Sequence, residues 1–306
     1  MYYIGFDIGG TKCAVSLGKW DQHNIEILKR EETPTKANPY ETLNDLASFV
    51  KEWMQNYPVR KAGISCGGPL NSQTGTILST PNLSEQWHGF EIVSYVKQHF
   101  SLDAKLENDA NACAVAEWKF GAGRGTSNMV FMTFGTGLGA GLILDGRLYS
   151  GTNGNAGEIG HVRLEPDGPV GFNKAGSAEG FCSGGGIQAL ARIRSREKGI
   201  VDCMGLTTKE IFQKAENGDG FCLAVIQESA EKFANVLSIL VDLLNPEAII
   251  AGGVFMRNYD FFMSVMEPIL KKEALSDALD VCKILPAELC ENIGDYAALS
   301  LAVMED

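Results

Sequence analysis

The sequence of 306 residues is poor in basic charge, and it lacks paired cysteines and long apolar runs. It has 26 basic against 38 acidic residues, and its formal net charge of −12 disfavours nucleic acid as a general partner. We find no signal peptide and no apolar run long enough to cross a bilayer, so we expect no membrane partner and a cytoplasmic location. The eight cysteines include no Cys-x-x-Cys pair, which favours reduced and mostly buried thiols.

Glycine is abundant, and two glycine-rich turns have the same pattern. One lies within residues 3–17 and the other within residues 129–144. Aligning Asp7 with Thr133 also aligns Gly9 with Gly135, and each copy predicts a strand, a tight turn and a second strand. Because glycine has no side chain, the N–H groups of such turns can converge on an anion. Two such turns suggest a nucleotide held between two lobes.

A second repeated feature is a helix that leads into a buried strand ending in paired glycines. An amphipathic stretch over residues 40–56 precedes the strand of residues 61–68, and a longer one over residues 221–244 precedes residues 247–253. Asn245-Pro246 ends the longer helix. The two repeats together predict an α/β fold with an internally duplicated βαβ core.

Five segments in this order resemble the motifs of the ROK family of bacterial sugar kinases and sugar-responsive repressors. They are Asp7 to Lys12, Glu107 to Ala112, Thr133 to Gly141, Glu158 to His161 and Ala251 to Val254. The resemblance spans nearly the whole chain. It implies a two-lobed, actin-like architecture of the hexokinase and RNase H-like type, with ATP and a sugar bound in the cleft between the lobes.

The resemblance also suggests how the chain is divided. The segment Gly294 to Ala298 looks like the family's helix that returns to the N-terminal lobe. We therefore expect residues 1–117 and 293–306 to form the N-terminal lobe and residues 118–292 the C-terminal lobe. The two helix–strand repeats are separated by more residues than the two glycine hairpins are. This difference indicates a loop-rich insertion near residues 145–208.

Asp109 is the first candidate for the chemistry. By its match to the family's Asn-Asp pair it resembles the base that accepts a proton from the sugar hydroxyl, and Asn108 resembles a neighbour that binds sugar hydroxyls. From the residues alone, Asn108 or Asp109 could simply cap the helix that follows.

Asp7 ends an apolar strand before the first glycine turn. A carboxylate there could hold Mg²⁺ through water, while a turn-forming aspartate is the alternative. Lys12 could face either a phosphate or solvent. Gly252 and Gly253 match residues near the adenosine, although a strand-to-helix turn explains them almost equally well. The other candidates for binding the ATP phosphates are Gly9, Gly10, Thr11, Thr133, Gly135, Thr136 and Gly137.

The resemblance assigns sugar recognition to Glu158, His161 and Glu179. Carboxylate and imidazole groups suit directional hydrogen bonds to the hydroxyls of a pyranose. A loop histidine bonded to backbone is the alternative for His161. Gly68 and Asn82 are weaker candidates for the same pocket.

The sequence departs from the family pattern just after His161. Most members carry three cysteines there that bind a structural zinc with the histidine, and Val170, Phe172 and Ser177 replace all three. Valine and phenylalanine cannot ligate a metal, so we expect no zinc site. Packing by Phe172 and Phe181 is our hypothesis for what orders the loop instead.

The leading hypothesis is a kinase that uses ATP and Mg²⁺ to phosphorylate a hexose hydroxyl, the 6-hydroxyl first. Glucose is the first candidate, ahead of N-acetylmannosamine, N-acetylglucosamine, allose, fructose or a β-glucoside. Family repressors carry a helix-turn-helix segment before the first motif, and a strand starting at Tyr2 leaves no room for one, so DNA binding is not expected. A silent sugar sensor is the remaining alternative, but it would not need Asp109. The family also allows a homodimer.

Overall fold

The computed structural model describes residues 1–200 and 204–304. Outside the described residues lie residues 201–203 of the expected insertion, which include Cys203, and residues 305–306 of the expected N-terminal lobe. The seven described cysteines are free thiols, and Cys290 is the exposed one among them.

The first part of the chain builds a five-stranded mixed sheet. Its order is β3-β2-β1-β4-β7, in which β2 is antiparallel to both of its neighbours and β4 and β7 run parallel to β1. The strands up to this point are β1 (Tyr2–Ile8), β2 (Lys12–Trp20), β3 (Ile25–Pro34), β4 (Val59–Cys66), β5 (Leu70–Asn71), β6 (Thr76–Ile77) and β7 (Asp103–Asn108). The helices are α1 (Pro39–Asn56), α2 (Ile92–Phe100) and α3 (Asp109–Phe120).

The second part repeats this topology. Its sheet has the order β10-β9-β8-β13-β14, in which β9 is antiparallel to both of its neighbours and β13 and β14 run parallel to β8. The strands are β8 (Met129–Phe134), β9 (Leu138–Leu144), β10 (Arg147–Tyr149), β11 (Val170–Gly171), β12 (Lys174–Ala175), β13 (Ala248–Ala251) and β14 (Lys283–Pro286). The helices are α4 (Ala178–Phe181), α5 (Gly184–Lys198), α6 (Thr208–Glu216), α7 (Gly220–Leu244), α8 (Gly253–Arg257), α9 (Tyr259–Glu273), α10 (Ser276–Leu279) and α11 (Ile293–Val303). The predicted duplication is confirmed.

The predicted helices begin and end where local chemistry requires. The Asn38 side chain accepts a hydrogen bond from Tyr40 N (2.9 Å), and Pro39 occupies the first turn of α1. Asp219 caps α7 in the same way, and Asn245, in the left-handed conformation, ends it. Both helices bury an apolar face against their own sheet, which gives each lobe its own core.

Two helices cross between the lobes. α3 follows the first sheet in the chain, yet Ala114 and Val115 pack on the second sheet, in the same cluster as Phe131. α11 follows the second sheet and packs on the first, where Leu299 lies against Tyr3. The expected boundary after residue 117 therefore falls inside α3. We propose to draw the boundary at the start of this helix.

The expected insertion near residues 145–208 is not all loop. It holds β10, the short hairpin of β11 and β12, α4 and the fifteen-residue helix α5. Among the described helices, none combines the length and the apolar character that a bilayer-spanning helix needs.

Candidate active site

A cavity of about 300 Å³ lies between the two lobes. The first lobe contributes residues that follow β4 and end β7, and the second contributes the start of β9 and the segment after β10. Carboxyl ends of parallel strands meet at one edge of a sheet, and ligands of α/β proteins bind there. The lining residues are Gly68, Pro69, Leu70, Asn108, Leu138, Gly154, Asn155, Glu158, His161, Phe172 and Glu179.

Asn108 and Asp109 have separate tasks at the start of α3. Asn108 is the cap, because its Oδ1 accepts from Ala110 N (3.0 Å) and Asn111 N (3.3 Å). The Nδ2 of Asn108 lies beside Gly68 at the cavity. Asp109 Oδ1 accepts from Ala110 N (2.8 Å), and Oδ2 lies on the side of Gly67. The cap is therefore in place without the Asp109 carboxylate.

Asp109 is exposed and lies next to the cavity lining rather than in it, although protein surrounds its carboxyl group. This desolvation raises its pKa above the ordinary value of 3.8, and the backbone hydrogen bond from Ala110 opposes the rise. A carboxylate with a raised pKa is a stronger proton acceptor than an exposed aspartate.

Asp7 lies at the end of β1 in an acidic environment. Desolvation, the charge of Asp295 and the charge of Asp109 raise its pKa to about 6, although Arg30 and Lys12 oppose the rise. Asp295, which the sequence analysis did not single out, is buried in the first turn of α11 and is bonded to Ser16 Oγ and to Arg30 Nε (3.0 Å). A carboxylate whose pKa is raised by burial and by neighbouring carboxylates favours the binding of a cation, but the residues that the structure describes contain no group of three or more His, Cys, Asp or Glu side chains placed to hold a metal ion.

Three predicted sugar-reading residues lie on the second-lobe wall of the cavity. Glu179 Oε2 accepts from Leu138 N (3.1 Å), which ties Glu179 to the second glycine turn. Desolvation, together with the charges of Asp109 and Glu179, raises the pKa of Glu158, whereas His161 lowers it. The structure thus places Glu158, His161 and Glu179 on one wall of the cavity, opposite Asn108 and Gly68.

The two glycine turns occupy equivalent positions after β1 and β8. Gly9 N donates to Lys12 O (3.2 Å) and Gly135 N donates to Gly137 O (3.1 Å). The side chains of Thr11 and Thr136 are exposed on the two turns. Thr133 faces inward instead, since its hydroxyl accepts from Gly139 N (2.9 Å) and holds the hairpin together.

A match to the ROK family model covers residues 3–305. The chain belongs to the ROK family. A glucokinase of Streptomyces coelicolor is 33% identical, with 98% of this chain and 96% of the relative covered. An N-acetylmannosamine kinase of Escherichia coli is 31% identical over 100% of this chain and 99% of its own length.

The ROK family glucokinase of Streptomyces griseus was solved in complex with glucose and AMPPNP. It superimposes with a TM-score of 0.79 at 29% identity, covering 99% of both chains. The actin-like fold expected from the ROK motifs is confirmed.

Two of the predicted ROK nucleotide residues, Gly252 and Gly253, lie after β13, where Gly252 N donates to Met132 O (3.0 Å). Gly253 has φ of 62° and sits against the Phe134 carbonyl, so a side chain would both strain the backbone and overlap β8. The start of α5, which contacts the second glycine turn, was not predicted. Gly184 N donates to Gly135 O (2.7 Å), which fixes the second glycine turn. The run Ser183 to Gly186 before a helix was the signal for it.

Some predicted residues lie outside the cavity. The Asn82 backbone is packed on Gly10, where a Cβ would overlap the Asn82 carbonyl, so Asn82 supports the first glycine turn. Lys12 Nζ pairs with Glu32 Oε2 (2.9 Å) on the exposed face of the first sheet. The apolar part of the lining, Pro69, Leu70 and Leu138, was also missed, because apolar residues after a strand carry no distinctive pattern.

Hydrogen bonds cross the cysteine-free loop that follows His161. Ser177 is buried, and its Oγ accepts from Gly180 N (3.1 Å). Arg163 Nη1 donates to Ala175 O (2.8 Å) and Pro166 O (3.2 Å), and Lys174 Nζ donates to His161 O (2.7 Å). These contacts cross the loop and tie it to His161.

Aromatic packing in this loop differs between the two phenylalanines. Phe181 is buried with Gly168 against its ring, as we hypothesised. Phe172 is 61% exposed at the cavity and contacts the His161 ring edge-on, with centroids 6.0 Å apart. Phe172 therefore shapes the cavity wall more than it tethers the loop. The absence of zinc stays a prediction, which elemental analysis tests.

Proposed function

We propose that this ROK protein is an ATP-dependent sugar kinase that transfers the γ-phosphate of ATP to a hexose hydroxyl. The observation that carries the proposal is the position of Asp109. Its carboxylate has a raised pKa, does not cap the helix, and lies beside a cavity lined by hydroxyl-binding groups from both lobes.

The proposed reaction needs little covalent chemistry from the protein. Asn108, Glu158, His161 and Glu179 would hold the sugar by its hydroxyls. Asp109 would orient the reacting hydroxyl and accept its proton as the oxygen bonds to the γ-phosphorus and the bond to the β-phosphate oxygen breaks. The turns after β1 and β8 would bind the phosphates through other backbone N–H groups, such as those of Gly10 and Thr136, because the N–H groups of Gly9 and Gly135 donate within the turns.

In this proposal Asp7 is the residue that would hold Mg²⁺. Asp7 stands among like charges that raise its pKa, and a bound cation would relieve this repulsion. When bound, Mg²⁺ supplies neutralisation of the phosphate charge, and Asp7 would hold it through water. Gly252 and Gly253 would border the adenosine.

Glucose is our first candidate substrate, and the 6-hydroxyl is the proposed acceptor. The glucokinases among the relatives and the glucose-bound neighbour support this choice. The similarity to an N-acetylmannosamine kinase keeps that sugar as the second candidate. N-acetylglucosamine, allose, fructose and a β-glucoside complete the panel.

The test is ADP release with ATP and Mg²⁺ across this panel of sugars, with calorimetry of sugar binding in parallel. We expect ADP release with at least one hexose, and phosphate on its 6-hydroxyl by NMR. Sugar binding without ADP release from any member would indicate the silent sensor instead. The cytoplasmic location and the homodimer stay predictions, and sedimentation velocity checks the latter.

A further inference from the structure

A second cavity, of about 690 Å³, lies between the lobes at a distance from the first glycine turn. One wall contains Trp20, which ends β2 at the opposite end from the Gly9 turn. At ~3.3 Å per residue, the nine residues of β2 separate these ends by about 26 Å. Another wall contains Phe120, which lies at the far end of α3 from Asp109, about 17 Å along the helix.

Three cations line this cavity. They are Lys105 on β7, Lys119 on α3 and Arg147 on β10, so they come from both sheets and from one of the crossing helices. Within residues 1–200 and 204–304, no side chain or carbonyl forms a hydrogen bond or ion pair with any of them. In a chain of net charge −12, three cations without an ion-pair partner among the described residues concentrate positive charge around one cavity.

Aromatic rings stand next to these charges. Trp118 and Trp20 are half-buried in the lining, and Lys119 Nζ lies 3.6 Å from the Trp118 ring centroid. Desolvation lowers the pKa of Lys119, which indicates that the wall excludes water around this amine. Rings and cations around a volume in the range of metabolite sites suit a ligand with a ring and a charged group.

One carboxylate, that of Glu107, belongs to the described lining. Its Oε1 accepts from Asn108 N (2.9 Å) and Asn111 Nδ2 (3.0 Å), so it is already bonded to the start of α3. These bonds offset its charge, and they connect the inner end of the cavity to the residue before Asp109.

We propose that this cavity is a second ligand site, which binds a ring-bearing phosphate ester through Lys105, Lys119 and Arg147. Arginine and lysine bind phosphate by charge-assisted hydrogen bonds, and the indole rings would pack against the ring of the ligand. A nucleoside monophosphate and a sugar phosphate share this chemistry. Because the walls come from both lobes, binding at this site depends on the relative orientation of the lobes. It is therefore coupled to ligand binding in the cleft.

The experiment is calorimetric titration of the full chain with AMP, glucose 6-phosphate and inorganic phosphate as separate probes. Saturating AMPPNP and glucose are present so that the cleft is filled. We expect one ring-bearing probe to bind at least tenfold more tightly than inorganic phosphate. The better of the two probes distinguishes a nucleotide from a sugar phosphate.

The Lys105→Ala/Arg147→Ala double variant should weaken this binding by more than tenfold, since two charge-assisted contacts are lost. The control is Lys209→Ala, an exposed lysine on α6, which should bind as the parent does. The proposal is overturned if neither ring-bearing probe binds at millimolar concentration, if inorganic phosphate binds as well as both, or if the double variant binds like the parent. Because the readout is ligand binding, failure of the kinase assay would not test the second-site proposal. In that case the titration is repeated without AMPPNP and glucose.

Discussion

At the scale of single residues, the structure distinguishes the helix cap from the candidate base, which the sequence alone did not do. Asn108 caps α3, so Asp109 is free to act on a substrate. We expect Asp109→Asn to lower kcat by about two to four orders of magnitude, because asparagine keeps the shape but cannot accept the proton. Steady-state ADP release measures this. Asp280→Asn, on an exposed surface, is the control, and turnover within a few-fold of the parent would remove Asp109 from the mechanism.

The pH dependence of the reaction follows from the same residue. Asp109 must be ionised to accept a proton, and its pKa is raised above 3.8 by desolvation. We therefore expect kcat/KM to fall on the acid side with a midpoint above 3.8, and to recover as pH rises. Glu158 and Asp7 also have raised pKa values, that of Asp7 being about 6, so the acid limb belongs to Asp109 if it persists in Glu158→Gln and at saturating Mg²⁺. A profile that stays flat down to pH 4 would contradict the assignment.

At the scale of elements, the loop after His161 depends on hydrogen bonds that cross it. Arg163 joins Ala175 and Pro166, so Arg163→Ala should loosen the wall that carries His161 and Glu179. We expect the KM for the sugar to rise by roughly tenfold, since about 1–2 kcal/mol of hydrogen bonding is lost. The KM for ATP should stay unchanged. Arg192→Ala, an exposed arginine on α5, is the control, and equal changes in both KM values would mean a general loss of structure.

The junction between α3 and α11 depends on one buried glutamate. Glu117 accepts hydrogen bonds from Ala122 N (2.8 Å), Glu288 N (3.2 Å) and Leu289 N (2.9 Å). In Glu117→Gln an amide NH₂ must face backbone donors, so we expect a loss of about 1–3 kcal/mol in the free energy of unfolding. Urea denaturation measures it. The exposed Glu26→Gln should differ little from the parent, and equal stability of both variants would contradict the role of Glu117.

Secondary structure could be predicted where the sequence of a segment contains its own capping residues and apolar periodicity. The helix over residues 40–56 and the strand that follows it could be predicted, because caps and apolar periodicity are local. The return of α11 to the first lobe was predicted only through the family resemblance, and the packing of α3 on the second sheet followed no local signal in the sequence. For the site, Asn108, Glu158, His161 and Glu179 were predicted through the family motifs, whereas Asn155 was not. Asp295 and the glycines of α5 were missed, because their partners are distant in sequence.

At the scale of the whole molecule, the cleft takes groups from both lobes. Gly68 and Asn108 lie on one side and Glu158, His161 and Glu179 on the other. Contacts from both walls to one substrate should close the lobes and exclude water from the γ-phosphate. We expect X-ray scattering to give a smaller radius of gyration with glucose and AMPPNP. An unchanged value at saturation would count against closure.

The crossing of α3 and α11 also sets an order of events during synthesis on the ribosome. The first sheet emerges early, but the helix that covers its face near Gly5 and Gly63 is α11, which is made after the whole second lobe. Until then, Tyr3 and its apolar neighbours lack their cover. The N-terminal lobe therefore cannot complete its fold, and it exposes apolar surface, until α11 has been synthesised at the end of the chain.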